Sequence, residues 1–191
     1  MANKQQADPT LAEQDLLVLA AQSGNRRAFA ALFKLHHRSL LRFATKFSRD
    51  PELARDAVQD AWLGMTRALP GLHDPRAFRS WLYRRVRWRL LDAMRASQRE
   101  PLQAAADDSA GNATDAEDNT QRRQQQQTED HNQLQYALAQ LPLIDRQAIE
   151  LFYLQQLQIN EIAIVLEIPT GTVKSRLNRA RKQLRALLAD V

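Results

Sequence analysis
The 191-residue chain carries 27 Lys plus Arg against 22 Asp plus Glu, net +5, with 44% hydrophobic and 26% charged residues, values ordinary for one globular domain or two small ones. It has no cysteine, which excludes a disulfide scaffold, thiol catalysis and Cys-based zinc sites, and its 5 glycines are too dispersed for a GxGxxG or Walker loop. No apolar run approaches the roughly 20 residues of a membrane span, and Met1 to Thr10 lack a signal-peptide core, so a cytoplasmic chain without membrane insertion is expected.

In chain order the punctuation is helical. Leu16, Leu19 and Ala20 share one face of a first predicted helix, which Gly24 ends as a C-terminal cap. A second helix spans about Arg26 to Phe47, with Phe29, Leu32, Phe33, Leu40, Phe43, Ala44 and Phe47 at helical spacing. Asp50-Pro51-Glu52 combines an N-cap, a proline in the first turn and an acidic start, so a third helix begins there. Its apolar face takes Ala54, Val58, Ala61, Met65 and Leu69, and Pro70-Gly71 stops it. Asp56, Gln59 and Asp60 form a polar face beside Leu63, which reads as a solvated side or a protein-binding one.

Asp74-Pro75 repeats the start signal for a fourth helix running to about Ala96, with Leu82, Val86, Leu90 and Ala93 as its inner stripe. Around that stripe stand seven arginines, among them Arg76, Arg79, Arg84 and Arg87, against the single acid Asp92. Trp81, Tyr83 and Trp88 are interleaved with them. Arg pairs with phosphate through a planar fork and aromatic rings offer flat faces to unstacked bases, so this surface suits nucleic acid. The competing reading puts the tryptophans in the core and leaves the arginines to solvate the back of the helix.

Charge then divides the chain. Residues 1–96 hold 17 basic and 9 acidic side chains, residues 97–132 hold 3 and 8, and residues 133–191 hold 7 and 5. The middle segment, with Gln124 to Gln127 and Leu102 as its one aliphatic residue beyond alanine, has too little apolar surface to offset its ordering entropy. It reads as a disordered acidic linker between an N-terminal domain, 1–96, and a C-terminal domain, 133–191. The expected fold class is therefore all-α, two small helical domains on one tether.

Beyond the linker, Leu134, Leu138 and Leu141 form a face before Pro142, and Asp145 is expected to cap a helix bearing Ile149, Phe152 and Tyr153. Asn160 is expected to cap a short helix with Ile162, Ala163 and Leu166, and Thr170 a last one with Val173, Leu177, Ala180, Leu184 and Leu187 inward. A short helix, a tight turn and a long basic helix make a helix-turn-helix pattern. The outward face includes Lys174, Ser175, Asn178, Arg179, Arg181, Lys182 and Arg185. Its early members can reach base edges and its later cations suit phosphates; the alternative is a basic packing helix.

Two segments resemble extracytoplasmic-function sigma factors of bacterial RNA polymerase. Gly171-Thr172-Val173-Lys174-Ser175-Arg176-Leu177 with Arg179-Ala180-Arg181 is similar to that family's −35-reading helix, preceded by Leu141-Pro142 and Glu161-Ile162-Ala163. Ala57 to Trp62 is similar to its core-polymerase-binding helix, and Phe78 to Arg84, continuing to Asp92 and Arg95, to its −10-recognition and melting helix. The resemblance implies a chain that binds core RNA polymerase and promoter DNA, melted at −10 and duplex at −35, with an anti-sigma factor as a further family expectation. It implies polymerase contacts at Asp56, Gln59, Asp60 and Leu63; −10 contacts at Arg76, Arg79, Trp81, Arg84, Arg87 and Trp88; and −35 contacts at Thr172, Lys174, Ser175, Arg176, Asn178 and Arg179. The stretch Leu72 to Phe78 is similar to the family's base-capturing loop.

Two positions depart from the pattern. Glu167 stands in the turn where the family usually has Gly, and Trp88 where it commonly has Asn. A DNA-binding regulator that never touches polymerase shares the helix-turn-helix but gives no role to the polar face of 51–69 or to the Arg/Trp helix. An enzyme is not expected, nor a metal or cofactor: His36 and His37 are adjacent rather than i,i+4, and Asp56 with Asp60 suits a protein-binding or solvated face better than an acid/base pair.

Overall fold
The computed structural model describes residues 11–48, 50–99 and 133–189, and within them every regular element is helical. The first four helices are α1 (Leu11–Gln22), α2 (Arg26–Ser48), α3 (Pro51–Ala68) and α4 (Ala77–Arg99). After the segment assigned to the linker, which apart from the end of α4 lies outside the described residues, come α5 (133–139), α6 (Leu143–Ile149), α7 (Ile159–Leu166) and α8 (Thr170–Ala189).

Capping chemistry sets the starts. Asn25 Oδ1 accepts from the Arg27 and Ala28 amides at 3.0 and 3.1 Å, and Asp50 Oδ1 from those of Glu52 and Leu53 at 2.9 and 3.2 Å. Gly24, at φ 87°, turns the chain out of α1 in the left-handed region where a side chain would be strained. Leu69–Gly71 closes α3 with a 3₁₀ turn, and Asp74 accepts from the Arg76 amide ahead of α4.

Four local expectations are corrected. On α1 the buried residues are Val18 and Ala21, whereas Leu16 and Leu19 are exposed, because α2 lies against the neighbouring stripe. Asp145 is not a cap: α6 begins at Leu143, and Asp145, wholly buried in its first turn, faces α8. The cap of α7 is Gln158 rather than Asn160, and Glu161 closes that end by accepting from the Gln158 amide at 2.7 Å. Thr170 is the first residue of α8 itself, not its cap.

Most expected inner positions are buried, namely Leu32, Leu40 and Phe43 of α2, Ala54, Val58, Ala61 and Met65 of α3, and Leu82, Val86 and Leu90 of α4. Phe33, Leu134 and Tyr153, expected on inner faces, are instead exposed, at 38%, 40% and 50%. Tyr83 belongs with the buried set, edge-on to Phe43 at 5.3 Å, and does not offer its ring to solvent. In the C-terminal half, Ile162, Val165, Leu166, Val173, Leu177 and Ala180 join α7 to α8.

The two halves also pack on each other. Helix α4 lies against α2 and α3 on one side and α7 on the other, so the buried side chains form one continuous apolar cluster. Between α6 and α7 the helix widens into a π turn, Glu150–Leu154, and the chain passes through Gln156 at φ 52°. Glu167, in the helix-turn-helix turn, takes φ 59° and ψ 43°. A left-handed conformation costs a non-glycine residue about 1–2 kcal/mol, and both of these residues lie against α4.

Candidate functional site
Three surfaces carry the residues singled out by sequence. On α3, Asp56, Gln59 and Leu63 are exposed, Leu63 at 52%. Gln59 and Leu63, but not Asp56, border a groove of about 430 Å³ between α2 and α3, floored by Phe29, Phe33, Leu41 and Trp62. Phe33, expected inside, is 38% exposed and lies 4.9 Å from the Trp62 ring while stacking on His37 at 4.6 Å. Its apolar spacing could not separate a core position from the lip of a groove. Asp60 differs from its neighbours, since its Oδ2 accepts from Arg85 Nε at 2.9 Å and ties α3 to α4.

On α4 and at Arg76 just ahead of it, the candidate cations have separate fates. Arg76 is exposed and paired with Asp74, whose carboxyl is held below its usual pKa by hydrogen bonds from Arg76. Arg79 is nearly enclosed: its guanidinium donates to the Gln155 carbonyl at 2.9 Å and stands 3.8 Å from Glu161. Arg84 Nε donates to Glu167 Oε1 at 3.0 Å, and Arg87 Nε to Gln147 Oε1 at 3.0 Å. Burial lowers the Arg87 pKa from its ordinary value and the Glu167 charge opposes that shift. Tyr83 O–H donates to Gln155 Oε1 at 2.9 Å; burial raises the phenol's pKa, keeping it a donor. The acceptors of Arg79, Tyr83, Arg84 and Arg87 all come from the C-terminal half, and no sequence periodicity links residues 60 to 83 positions apart.

Bordering that contact at Arg84, the side chains of Trp81, Arg84, Arg85 and Trp88 line a cleft of about 260 Å³. Trp88 is 51% exposed, and the Arg85 guanidinium sits 5.2 Å from its ring centroid. Trp81 is half-buried and closes on Gly64, where an added Cβ would meet its ring at 3.0 Å. The tryptophans are thus divided between packing and surface. The Leu72 to Phe78 stretch starts against α1, where the Leu72 carbonyl accepts from Gln22 Nε2 at 2.6 Å, and ends at Phe78, buried with its ring 5.7 Å from that of His36. Burial, aided by the Arg79 charge, pulls the His36 pKa down to about 4.

On α8, Lys174, Ser175 and Asn178 are exposed and Thr172 half-buried. Ser175 turns its hydroxyl back to the Thr172 carbonyl at 2.9 Å. Arg176 and Arg179 both hold Asp145, at 2.9 and 2.6 Å, so they brace α8 on α6. Arg179 keeps 60% of its side chain in solvent, while Arg176 keeps 27%. Among the described residues no cluster of His, Asp or Glu is arranged to hold a metal, and no helix is long and apolar enough to cross a membrane.

Both halves of the chain match known sequence families. Residues 32–100 match Sigma-70 region 2, and residues 131–184 match Sigma-70, region 4. The chain is 37% identical over 172 residues to the ECF RNA polymerase sigma factor SigM of Mycobacterium tuberculosis, covering 90% of this chain and 83% of that protein. It is 31% identical over 183 residues to the RNA polymerase sigma-H factor of Pseudomonas aeruginosa, covering 90% and 92%. The fold is also similar to that of CnrH solved in complex with the cytosolic domain of CnrY, with a TM-score of 0.64, 27% identity and coverage of 93% and 97%. With both regions matched in order and full-length relatives above 30% identity, the chain belongs to the ECF sigma factors of bacterial RNA polymerase.

Proposed function
We propose that this sigma factor, which binds core RNA polymerase and directs it to promoters, divides that work among three surfaces. The α2–α3 groove with Gln59 and Leu63 on its rim docks the polymerase. Residues 1–96 act as the domain that recognises and melts the −10 element, 133–191 as the domain that reads −35, and 97–132 as the acidic linker between them. A regulator that ignores polymerase is not favoured, because it would leave α3 and α4 without a task.

The observation that supports the docking surface is its composition: an exposed apolar residue over an aromatic-floored groove, rimmed by polar groups. Apolar area of that kind on a surface marks a partner site. Asp60 contributes by fixing α3 to α4 through Arg85 as well as by charge. For −35 reading, Lys174 and Asn178 are the free base-contacting candidates, while Arg176 and Arg179 orient the helix from Asp145. For −10 melting, the Trp81–Trp88 cleft supplies an aromatic platform flanked by cations. A protein that holds the factor inactive is a further partner we propose, supported by the complex of CnrH with the cytosolic domain of CnrY.

The test is association with core polymerase. Gln59→Ala with Leu63→Glu places a charge in the groove's rim and should weaken binding at least tenfold on a native gel or by fluorescence anisotropy, with helical content kept. Unchanged association would remove the groove from the polymerase interface.

A further inference from the structure
Helix α2, like α8, carries cations and no acid: its 23 residues hold Arg26, Arg27, Lys34, Arg38, Arg42 and Lys46. The last four recur every fourth residue and form one row along the helix. Like charges one turn apart destabilise a helix, so the row stands against local stability. Lys46 is half-buried with the Glu150 carboxyl nearby. Lys34, Arg38 and Arg42 are exposed, and among the described residues none of the three pairs with a carboxylate. Exposed arginines elsewhere do find acids, as Arg55 finds Glu52, Arg89 finds Asp92 and Arg179 finds Asp145.

These three cations line a cleft of about 650 Å³, together with the turn Leu154–Gln156 of the C-terminal half. No Asp or Glu is among the described residues that line it. A cleft lined by one sign of charge concentrates ions of the other sign. Its lining also lacks an exposed aromatic ring, since Tyr83 is buried with its O–H donated to Gln155. An unstacked base would find no platform there, whereas bare phosphates need only the cations. We propose that this cleft binds linear inorganic polyphosphate, with Lys34, Arg38 and Arg42 meeting successive phosphates along about 12 Å of helix. The site is separate from the α2–α3 groove, because Phe33, His37 and Leu41 lie about 100° away around the helix.

The experiment is titration calorimetry on the full chain without polymerase, with inorganic tripolyphosphate as the probe. ATP, which adds a nucleoside to the same phosphate chain, and a dT strand are the comparison ligands. Arg38→Gln with Arg42→Gln removes two cations of the row at exposed positions, and glutamine keeps the helix propensity. Arg67→Gln with Arg89→Gln, exposed on α3 and α4, removes the same charge elsewhere. Gln156→Asp places a carboxylate on the cleft's lining, at a left-handed position that aspartate tolerates, and Gln156→Asn is its neutral counterpart. Circular dichroism checks that every variant keeps its helical content.

The parent should bind tripolyphosphate, more weakly as salt rises. The Arg38, Arg42 variant should bind about fivefold more weakly, the size of effect that two exposed charge pairs give, and the Arg67, Arg89 variant should match the parent within about twofold. Gln156→Asp should weaken binding about threefold and Gln156→Asn should leave it unchanged. No binding by the parent, or equal losses in the two double variants, would overturn the site. Binding that ignores Gln156→Asp would put the phosphates on the open face of α2 and overturn the cleft. ATP binding tighter than tripolyphosphate, or a dT strand that binds tighter and depends equally on Arg38 and Arg42, would assign the row to a base-bearing ligand and overturn polyphosphate.

Discussion
Asp145 has no exposed surface and serves two arginines of α8. A buried carboxylate with two guanidinium partners is strongly coupled to both, and removing its charge leaves two cations without their acceptor. Asp145→Asn should lower unfolding stability by about 3 kcal/mol in urea titration; a loss near zero would mean that the pair is replaced by solvent without cost. His36 makes a pH-dependent contribution. Its folded pKa, near 4, lies below the ordinary 6.5 because burial and Arg79 both disfavour the imidazolium. Between those values the unfolded chain binds a proton that the folded chain refuses, so stability is whole above about pH 6.5 and falls as pH drops toward 4. The loss across the window is on the order of 3 kcal/mol. Urea titrations at pH 7.5 and 4.5 should show it, and His36→Gln should remove most of it. An equal pH slope in parent and variant would assign the effect to other groups.

Helix α8 shows how one element divides its labour. Its exposed Asn178 and Lys174 should set base preference, each good base contact discriminating by about 1–3 kcal/mol. Lys182 and Arg185, further along and exposed, should act on all sequences alike, each replacement lowering the salt slope by about 1. Binding measured on variant −35 duplexes over a salt series separates the two classes, and a uniform response from all four would take α8 out of the groove. The inner face of this helix was legible from its spacing, because Val173, Leu177 and Ala180 recur at helical period and α7 presents a matching apolar stripe. The brace was not legible. Arg179 reads as an outward cation and Arg176 as a −35 contact, since their acceptor lies 34 and 31 residues earlier, on a helix whose start is expected one turn too late. An acid near a helix start fits both a cap and a first-turn position, and only the packed partner tells them apart. At Asp50 the following proline fixed the frame, and there the cap was read correctly.

Across the whole molecule, pattern revealed which surfaces exist and packing decided which are open. The arginines of α4 are unmistakable in the sequence, yet three of them meet the C-terminal half, at a Gln155 backbone carbonyl, the Glu167 carboxylate and the Gln147 amide, acceptors that no pattern in the sequence marks. The groove between α2 and α3 was likewise half visible: Leu63 stood out, whereas Phe33 had the spacing of a core residue and became a lip. An initiation factor must do more than bind a duplex, since it has to hold bases that have left the stack, at a cost of a few kcal/mol per base. On the reading proposed for α4, Arg84 and Arg87 follow that strand and give up Glu167 and Gln147 to do so.

The most direct measurement is a permanganate footprint of the −10 thymines. It uses core polymerase and a duplex promoter chosen from the transcripts that start when the chain is overproduced. With the parent chain the thymines should react. Arg84→Ala with Arg87→Ala should keep polymerase association but lose that reactivity, and a pre-melted template should restore transcription in part, because the unstacking cost is already met. Reactive thymines in the double variant, or no rescue by the pre-melted template, would contradict the assignment of promoter opening to α4.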